Sequence, residues 1–554
     1  MKKLMFILSA VFAAAALQAQ NLDPTVEVSR VYEGKLIEVR KPVLEMSVPD
    51  TLYKFDLDFD YSVFENPYRG AYEFNPYMMD MRPESNLMHP SKFYLKAGAG
   101  YTLHPVFDLL WSPQLKGDFS VDVYGKHRSY VGGYRPIMGH EAFNGYDLLS
   151  RAGADFGYDW QKVALDFGAS YYGTAVKDFA KSRAYNAVDA YFSVGSKELW
   201  SKGFMYNVAM AYRYADEASA LPLTEHDMSL DITFGPSFSE RDKVFFDMGV
   251  ELNAYMQTLT WSAARFYLVP HYVYDKGILH MDLGFRLSTA SCSESTESDT
   301  ESVDNKSGMD IKNQIIYPDV HLNLAVIPEA MRLYLNVGGG EKLNSYASLV
   351  DRNHHLDLNY GIDNYSALMR PSVERVSAEL GFEGRISGFF SYNVRGGYSN
   401  HASTPLDAIV ANEGGMYMPY IGYSACQNAY ATVDWDLNFQ DVRFDGTLKY
   451  AHYWGMDAPY VFAPAAFTGD AEVVYNWRKR VYAGVDCMFA TARTNSEALV
   501  IPAYADLGVY AEYVMNNGIS FWLRGGNLLN MEIQRTPLFA EKGVNFTGGI
   551  CLNF

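Results

Sequence analysis

The segment Val544–Phe554, which reads VNFTGGICLNF, decides the fold of this chain. Apolar and polar residues alternate along it, and the chain ends on the aromatic Phe554. A period of two is typical of a β-strand that has lipid on one face and water on the other. A soluble sandwich produces the same alternation, because its strands also have one buried and one wet face. The number of times that the pattern recurs along the chain must therefore distinguish a membrane barrel from a soluble sandwich.

The same alternation begins at Phe93 and recurs throughout the rest of the chain. It is clearest in the segments 163–171, 246–254, 279–287, 429–438 and 505–513. Their polar faces carry charges of both signs beside glycines, which suits a water-filled lumen better than a sheet covered by loops. The pattern favours a membrane barrel over a soluble sandwich.

The connections between these segments give a second, independent signal. Short connections are predicted at 159–161, 240–242, 275–277, 440–441, 478–479 and 516–518, and long ones at 131–146, 291–311, 341–371, 400–426 and 525–542. Short periplasmic turns alternate with long extracellular loops in outer-membrane barrels. The sequence therefore predicts an all-β fold: a transmembrane, antiparallel, up-and-down β-barrel of about 22 strands over residues 92–554.

The beginning of the chain predicts export. Residues 1–20 contain Lys2 and Lys3 followed by the apolar run Leu4–Leu17, which is the pattern of a secretory signal peptide. No later run of about 18 apolar residues occurs, which excludes a helical membrane protein. The expected location is the cell outer membrane, in contact with its lipid and lipopolysaccharide.

Composition agrees with a barrel and excludes one class of partner. Aromatic residues make up 15% of the chain and glycines number 44, while the mean hydropathy is only −0.15, as expected where apolar and polar residues alternate. The formal net charge of −19 argues against nucleic acid as a partner, because phosphates attract cationic proteins.

Residues 21–91 differ from the rest of the chain. Short extended pieces are interrupted by prolines at positions 42, 49, 67, 76, 83 and 90, without a helical period. We predict an extended segment that lies in the periplasm or enters the lumen. The segment is too short for a plug domain of the usual receptor size, so no plug domain is expected.

Three parts of the chain resemble a known family. Residues 521–530, FWLRGGNLLN, followed by 543–554, resemble the C-terminal hairpin of TonB-dependent receptors. Residues 344–383 are similar to a loop and strand of the barrel-only, plugless, TonB-dependent-receptor-like outer-membrane proteins, and Val26, Val28, Arg30, Tyr32 and 49–51 are similar to the N-terminal segment of that group. The resemblance implies an outer-membrane barrel of receptor size. Because we find neither a TonB box nor a plug, we do not expect TonB-driven import by this chain alone.

Charged residues on the polar strand faces are the candidate lumen-lining residues. They are Asp247, Glu251, Asp282, Arg286, Arg395, Asp434, Asp436, Arg443, Asp445, Lys449, Asp506 and Glu512. They could form a surface that selects a solute, or the charged wall that any wide barrel needs, linked by cross-strand ion pairs. The distribution of both signs around the barrel favours the wall.

Other motifs carry weaker signals. The acidic stretch Ser291–Asn305 could collect Ca²⁺, although such stretches are usually solvated loops. The pair His354 and His355 lies in a predicted surface loop, where adjacent side chains point in different directions and make a poor metal site. The four cysteines show no CxxC spacing. We expect no catalytic site, cofactor or metal, because no G-x-S-x-G or H-E-x-x-H spacing occurs and the chain therefore does not resemble an enzyme.

Two main functions remain open, beside a weaker one, the uptake of apolar molecules through a lateral gap, to which only the barrel itself points. The first is a passive or partner-gated conduit for a solute, which the polar inner face suggests. The alternative is a structural or assembly subunit of a larger complex, in which the N-terminal segment docks an outer-membrane or periplasmic protein. A barrel of this width without a plug must be closed by its loops, by its N-terminal segment or by a partner.

Overall fold

The computed structural model describes residues 92–554 except for a set of gaps. The gaps are 102–103, 114, 116, 136, 139–140, 178–181, 198–202, 220, 258–259, 295–314, 329, 357–368, 412–416, 517 and 541. The predicted signal peptide at 1–20, the segment 21–91 and most of the acidic stretch 291–305 lie outside the described residues, so they stay predictions.

The described residues form twenty-four strands and one short helix, numbered in chain order. The strands are β1 Phe93–Gly100, β2 Val106–Trp111, β3 Phe119–Tyr134, β4 Phe143–Asp159, β5 Val163–Lys177, β6 Ser182–Ser196, β7 Gly203–Ala218, β8 Leu223–Ser237, β9 Asp242–Gln257, β10 Trp261–Lys276, β11 Leu279–Glu294, β12 Ile316–Ile327, β13 Met331–Lys342, β14 Ser372–Ile386, β15 Phe390–Ala411, β16 Tyr417–Phe439, β17 Val442–Trp454, β18 Phe467–Trp477, β19 Val481–Ala490, β20 Arg493–Thr494, β21 Val500–Ile501, β22 Tyr504–Asn516, β23 Ile519–Gly526 and β24 Asn545–Asn553, and helix α1 is Tyr346–Arg352.

Twenty-two of the strands form one closed antiparallel sheet. Each strand pairs with its neighbour in chain order, and β24 closes the ring on β1, with Lys96 opposite Cys551 and Gly98 opposite Gly549. β20 and β21 form a separate small hairpin. The predicted up-and-down barrel is confirmed, and so is its even strand number.

The two faces of the last strand, β24, differ as its sequence predicts. Phe546 and Ile550 are 49% and 43% exposed on the outer face, whereas Asn545, Thr547 and Cys551 are buried at 9%, 7% and 8% on the inner face. Exposed aromatic and aliphatic side chains recur on the outer face of other strands, among them Phe167. A closed sheet with such an apolar outer surface is an outer-membrane barrel.

Aromatic rings on the inner face lie across glycines of the adjacent strand. A Cβ atom built on Gly249 would lie 2.3 Å from the Tyr267 ring, and one built on Gly397 would lie 2.6 Å from the Tyr430 ring. The Tyr430 hydroxyl donates a 2.6 Å hydrogen bond to Glu379. The glycines therefore provide the space that lets each ring lie flat and reach its polar partner.

Substitution of Gly397 tests this packing. We expect Gly397→Ala to lower the free energy of unfolding by about 1–3 kcal/mol, because overpacking forces the Tyr430 ring away from Glu379. Urea unfolding in lipid vesicles measures the change. Gly396→Ala is the matched control: its Cβ would face outward, 3.4 Å from the Tyr430 carbonyl oxygen, and should cost under about 0.5 kcal/mol. Equal losses in the two variants would contradict the packing.

The prediction of a long loop at 400–426 is wrong. Residues 401–411 of β15 and 417–426 of β16 are paired strands, from Thr404 opposite Ser424 to Ala411 opposite Tyr417. Most of their apolar side chains are buried, with Ala408 and Ile421 fully so, although Val410 is exposed. A β-bulge lies between residues 401 and 404, next to a proline at 405, and bulges are where strands tolerate proline.

Candidate functional site

A segment between β13 and β14 is folded into the barrel at its extracellular end, and we call residues 343–356 the mouth loop. Helix α1 forms its centre, and Ser345 caps the helix by accepting a 3.2 Å hydrogen bond from the backbone N–H of Ser348. The buried residues of α1 are Tyr346, Ala347, Leu349 and Val350. Among the described residues, no helix has the length and apolar character needed to cross a membrane.

Glu225 of β8 holds the start of α1 against one wall of the barrel. Its carboxylate accepts hydrogen bonds from the Tyr185 hydroxyl at 2.7 Å and the Tyr255 hydroxyl at 3.2 Å. It also accepts one from the Ala347 backbone N–H at 3.1 Å. Glu225 is only 1% exposed, and a buried carboxylate is costly unless donors surround it. Docking of α1 therefore supplies part of the solvation that Glu225 loses.

Arg183 of β6 holds the same helix from a second direction. Its guanidinium donates to the Tyr346 hydroxyl at 3.1 Å and to the His354 carbonyl oxygen. The Glu217 carboxylate lies 3.7 Å away and balances the charge. Tyr346 itself is fully buried, and its ring packs against Tyr185 with a centroid distance of 5.8 Å.

The other end of α1 contacts the opposite wall. Arg352 donates to Asp407 at 3.3 Å and to the Pro405 carbonyl oxygen at 2.6 Å, both in β15. Asp407 also pairs with Arg493 at 2.7 Å. Since β6 and β15 are nine strands apart in a ring of 22, the mouth loop spans the lumen and constricts it.

The adjacent histidines lie inside this constriction, so their predicted placement in a surface loop is wrong. His354 lies 3.4 Å from Asp147 of β4, whereas the His355 ring stacks on Phe539 with a centroid distance of 3.5 Å. Burial lowers the pKa of His355 to about 3, so its ring is neutral. No group of three or more side chains suited to a metal comes together in the part of the chain that the structure describes.

Other extracellular loops pack against each other beside the mouth loop. Ile409, Phe462, Ile501 and Leu538 come from four different segments and form one buried apolar cluster. Such a cluster rigidifies the rim, because each loop loses apolar contacts if another moves away.

The predicted lumen-lining residues lie on six strands of the barrel, namely β9, β11, β15, β16, β17 and β22. The strand registers place all of them on the same sheet face, opposite the exposed aromatic face. On β9 to β11, His271 bridges Asp247 at 3.2 Å and Asp282 at 2.8 Å. Glu251 pairs with Arg265 at 3.0 Å.

The remaining predicted residues also have close polar neighbours. Arg286 pairs with Asp319, Lys449 lies over the Tyr430 ring, Asp506 pairs with Arg535, and Glu512 accepts a hydrogen bond from Ser520. Cross-strand contacts of this kind fit a charged wall. Selection of a solute by these residues stays a prediction.

Four of the predicted residues come together at one cavity of about 630 Å³ on β16 and β17, namely Asp434, Asp436, Arg443 and Asp445. Arg443 lies 2.9 Å from Asp445 and 3.9 Å from Asp436. Asp434 pairs at 2.6 Å with Arg395 of β15. This is the densest group of charges among the predicted residues.

Glu225, Arg183 and Tyr346 were not predicted as functional residues. Their sequence neighbourhoods look like ordinary strand ends and a loop. The signal that points to Glu225 is its place beside Asp227 on the polar face of β8, but the partners Tyr185 and Ala347 come from distant parts of the chain. Only the folded barrel brings these groups together.

A closed 22-stranded antiparallel barrel, with an apolar outer face, an ion-paired inner face and a loop across its mouth, defines an outer-membrane barrel of receptor size. Solved structures share this fold. The copper transporter OprC is 11% identical with a TM-score of 0.62, over 84% of this chain and 80% of that chain. The FrpB iron transporter from Neisseria meningitidis is 10% identical with a TM-score of 0.59, over 83% and 81%. The siderophore receptor PirA from Acinetobacter baumannii is 10% identical with a TM-score of 0.57, over 83% and 80%.

At sequence identities of 10% and 11%, the similarity to these structures shows a shared fold and nothing more specific. No protein-family model matches the chain, and no curated protein matches it.

Proposed function

We propose that this chain is a gated conduit for solutes across the outer membrane, with the mouth loop as its gate. One observation carries the proposal: the mouth loop bridges β6 and β15 across a lumen whose wall is polar and ion-paired. A polar wall of mixed charge suits a water-filled path, and a segment that spans such a path controls passage through it.

The contacts that hold helix α1 against the two walls of the barrel support a role of the mouth loop as a gate. Tyr346 and Ala347 dock on one wall through a few hydrogen bonds, and Arg352 docks on the other. A gate needs two arrangements that differ by only a few kcal/mol. Helix α1 is short, and it is held by this small set of polar contacts and by one buried apolar face that includes Tyr346, Leu349 and Val350, so the docked arrangement is the favoured one and undocking is infrequent.

The named functions of proteins with this fold agree with transport. OprC is named as a copper transporter and FrpB as an iron transporter. These solutes belong to those proteins, and the solute of this chain is a separate question. Energised import and a plug are not part of the proposal.

Planar-bilayer recording of the purified full chain tests the proposal. We expect infrequent discrete openings, and Arg443→Gln should shift the reversal potential of these openings toward cation selectivity, because Asp436 and Asp445 lose their shared cation. The change in folding stability should stay below about 1 kcal/mol, since the pair is partly exposed. Lys162→Gln is the control, because Lys162 is exposed in the short connection between β4 and β5.

Two outcomes would count against a conduit. One is the absence of openings from the wild-type chain and from a variant with a released mouth loop. The other is an identical selectivity in Arg443→Gln and Lys162→Gln. A folded barrel that never conducts but is recovered from native membranes with a stoichiometric partner would point to the alternative, a structural subunit.

A further inference from the structure

The connection between β18 and β19 consists of three consecutive cations, Arg478, Lys479 and Arg480, and we call it the cationic turn. The backbone N–H of Arg480 donates a 3.1 Å hydrogen bond to the carbonyl oxygen of Trp477, which closes the turn. All three cationic side chains are exposed. Because short connections lie on the periplasmic side of an outer-membrane barrel, the cationic turn faces the periplasm.

The backbone of the cationic turn is unusual for the residues that form it. Arg478 and Lys479 have φ angles of +55° and +57°, in the left-handed region that disfavours residues with a Cβ atom. Glycine is the default residue at such positions. The connection of equal length between β14 and β15 has Gly388 at its second position, with φ +74°. Long cationic side chains at positions that suit glycine point to a function of those side chains.

The three cations have no carboxylate partner inside the protein. None of them forms an ion pair in the part of the chain that the structure describes. Asp441, in the neighbouring connection, contacts this hairpin through its carbonyl oxygen, which accepts a 2.7 Å hydrogen bond from the Asn476 backbone N–H. Adjacent like charges repel each other, and a bound anion relieves that repulsion.

Aromatic side chains place the cationic turn at the depth of the lipid headgroups. Tyr475, Trp477 and Tyr513 are exposed, and the strand register puts them on the outer face of β18 and β22. Rings of this kind mark the boundary between hydrocarbon and water in outer-membrane barrels. The cationic turn begins one residue beyond Trp477, so its long side chains reach the layer of lipid phosphates.

One contact directs the cationic turn toward the lipid. The Arg478 guanidinium lies 6.0 Å from the centre of the Trp477 ring, which is within the range of a cation–π interaction. Because this ring lies on the outer face of the barrel, the contact keeps the guanidinium on the lipid side. A planar guanidinium also matches two oxygens of one phosphate group. These observations favour a lipid phosphate over an acidic protein in the periplasm.

We propose that the cationic turn binds the phosphate groups of anionic phospholipids in the periplasmic leaflet of the outer membrane. Arg478 contacts the phosphate beside the Trp477 ring, and Lys479 and Arg480 add positive charge at the same depth. The inference goes beyond the proposed conduit, because it concerns the outer surface of the barrel and its test does not involve conductance.

Native mass spectrometry of the purified full chain in detergent, titrated with dioctanoyl phosphatidylglycerol, tests the proposal. Dioctanoyl phosphatidylcholine, which has the same acyl chains but no net charge, should bind more weakly. The triple variant Arg478→Gln, Lys479→Gln, Arg480→Gln should bind the anionic lipid about a hundredfold more weakly, since each cation near an anionic lipid contributes about fivefold. Lys276→Gln is the matched control and should bind as the wild type does, because Lys276 is a lone exposed cation beside Asp275 at the end of β10.

Lys479→Gly separates lipid binding from the conformational needs of the turn. Glycine adopts a φ of +57° without strain, so the midpoint of urea unfolding should rise. The affinity for the anionic lipid should nevertheless fall about fivefold, because one cation is lost. A higher midpoint with an unchanged affinity would contradict the proposal.

Other results would also overturn the proposal. They are equal binding of the two lipids by the wild type, and an unchanged affinity in the triple variant when the gel-mobility shift on heating shows that it is folded. Displacement of the anionic lipid by inorganic phosphate at constant ionic strength would assign the cationic turn to free phosphate instead. A wild type without lipid preference that retains an acidic periplasmic protein through the three cations would replace the lipid by a protein. A chain that binds the anionic lipid but never conducts supports the cationic turn and contradicts only the conduit.

Discussion

Gly549→Ala is expected to prevent closure of the barrel and to leave most of the chain unfolded. Gly549 of β24 lies opposite Gly98 of β1, at the seam where the last strand meets the first. A Cβ at this position would lie 1.9 Å from the Ala97 carbonyl oxygen and 2.6 Å from the Gly98 Cα. These are backbone atoms, so no rotamer change relieves the overlap, and the two strands must separate.

The expected cost is roughly 4 kcal/mol or more, which is exceptional for a single substitution. Loss of the seam also exposes unpaired strand edges to hydrocarbon, where each unsatisfied backbone group is costly. The measurement is the fraction of refolded chain that shows a gel-mobility shift on heating. Gly548→Ala, one residue away, is the control: its Cβ would face outward, 3.3 Å from the Leu523 side chain, and should fold nearly normally.

Equal folded fractions for Gly549→Ala and Gly548→Ala would contradict the close approach of β24 to β1. The same comparison separates a steric effect from a general effect of helix-favouring alanine in a strand, because both variants carry the same residue in the same strand.

Tyr346→Ala is expected to open the mouth of the barrel. The Tyr346 ring is fully buried against Tyr185, and its hydroxyl accepts from Arg183. Truncation of a buried aromatic residue costs about 3–5 kcal/mol. Since this ring belongs to the docked arrangement of α1, the cost acts on docking, and about 4 kcal/mol lowers the ratio of docked to undocked loop roughly a thousandfold.

Open probability in single-channel recordings measures this effect, and it should rise strongly in Tyr346→Ala. Tyr513→Ala is the matched control, because Tyr513 lies on the outer face and is 48% exposed. Glu225→Ala provides a second release variant, which removes the acceptor for the Ala347 N–H. Unchanged open probability in both folded release variants would show that the mouth loop is not the gate.

Much of the fold could be predicted from local pattern. The alternation in 544–554 and in the other strands determined which side chains face lipid, because successive residues of a strand point to opposite faces. Local turn chemistry also placed the short connections, such as the one at 440–441, which lies between β16 and β17 as predicted. The long connections were less accurate, because strands β15 and β16 continue under a cover of loops that local sequence does not reveal.

The sequence by itself determined the outer-membrane barrel, the polar character of its inner face and the even number of strands, since these depend on a two-residue period and on the alternation of turns. Only the tertiary structure decided that the mouth loop enters the lumen and that Glu225 holds it. The physical reason is distance along the chain: Ala347 and Glu225 are 122 residues apart. Closure of the barrel brings these two distant residues together, and the buried carboxylate then needs hydrogen-bond donors. Neither requirement produces a periodic pattern in the sequence.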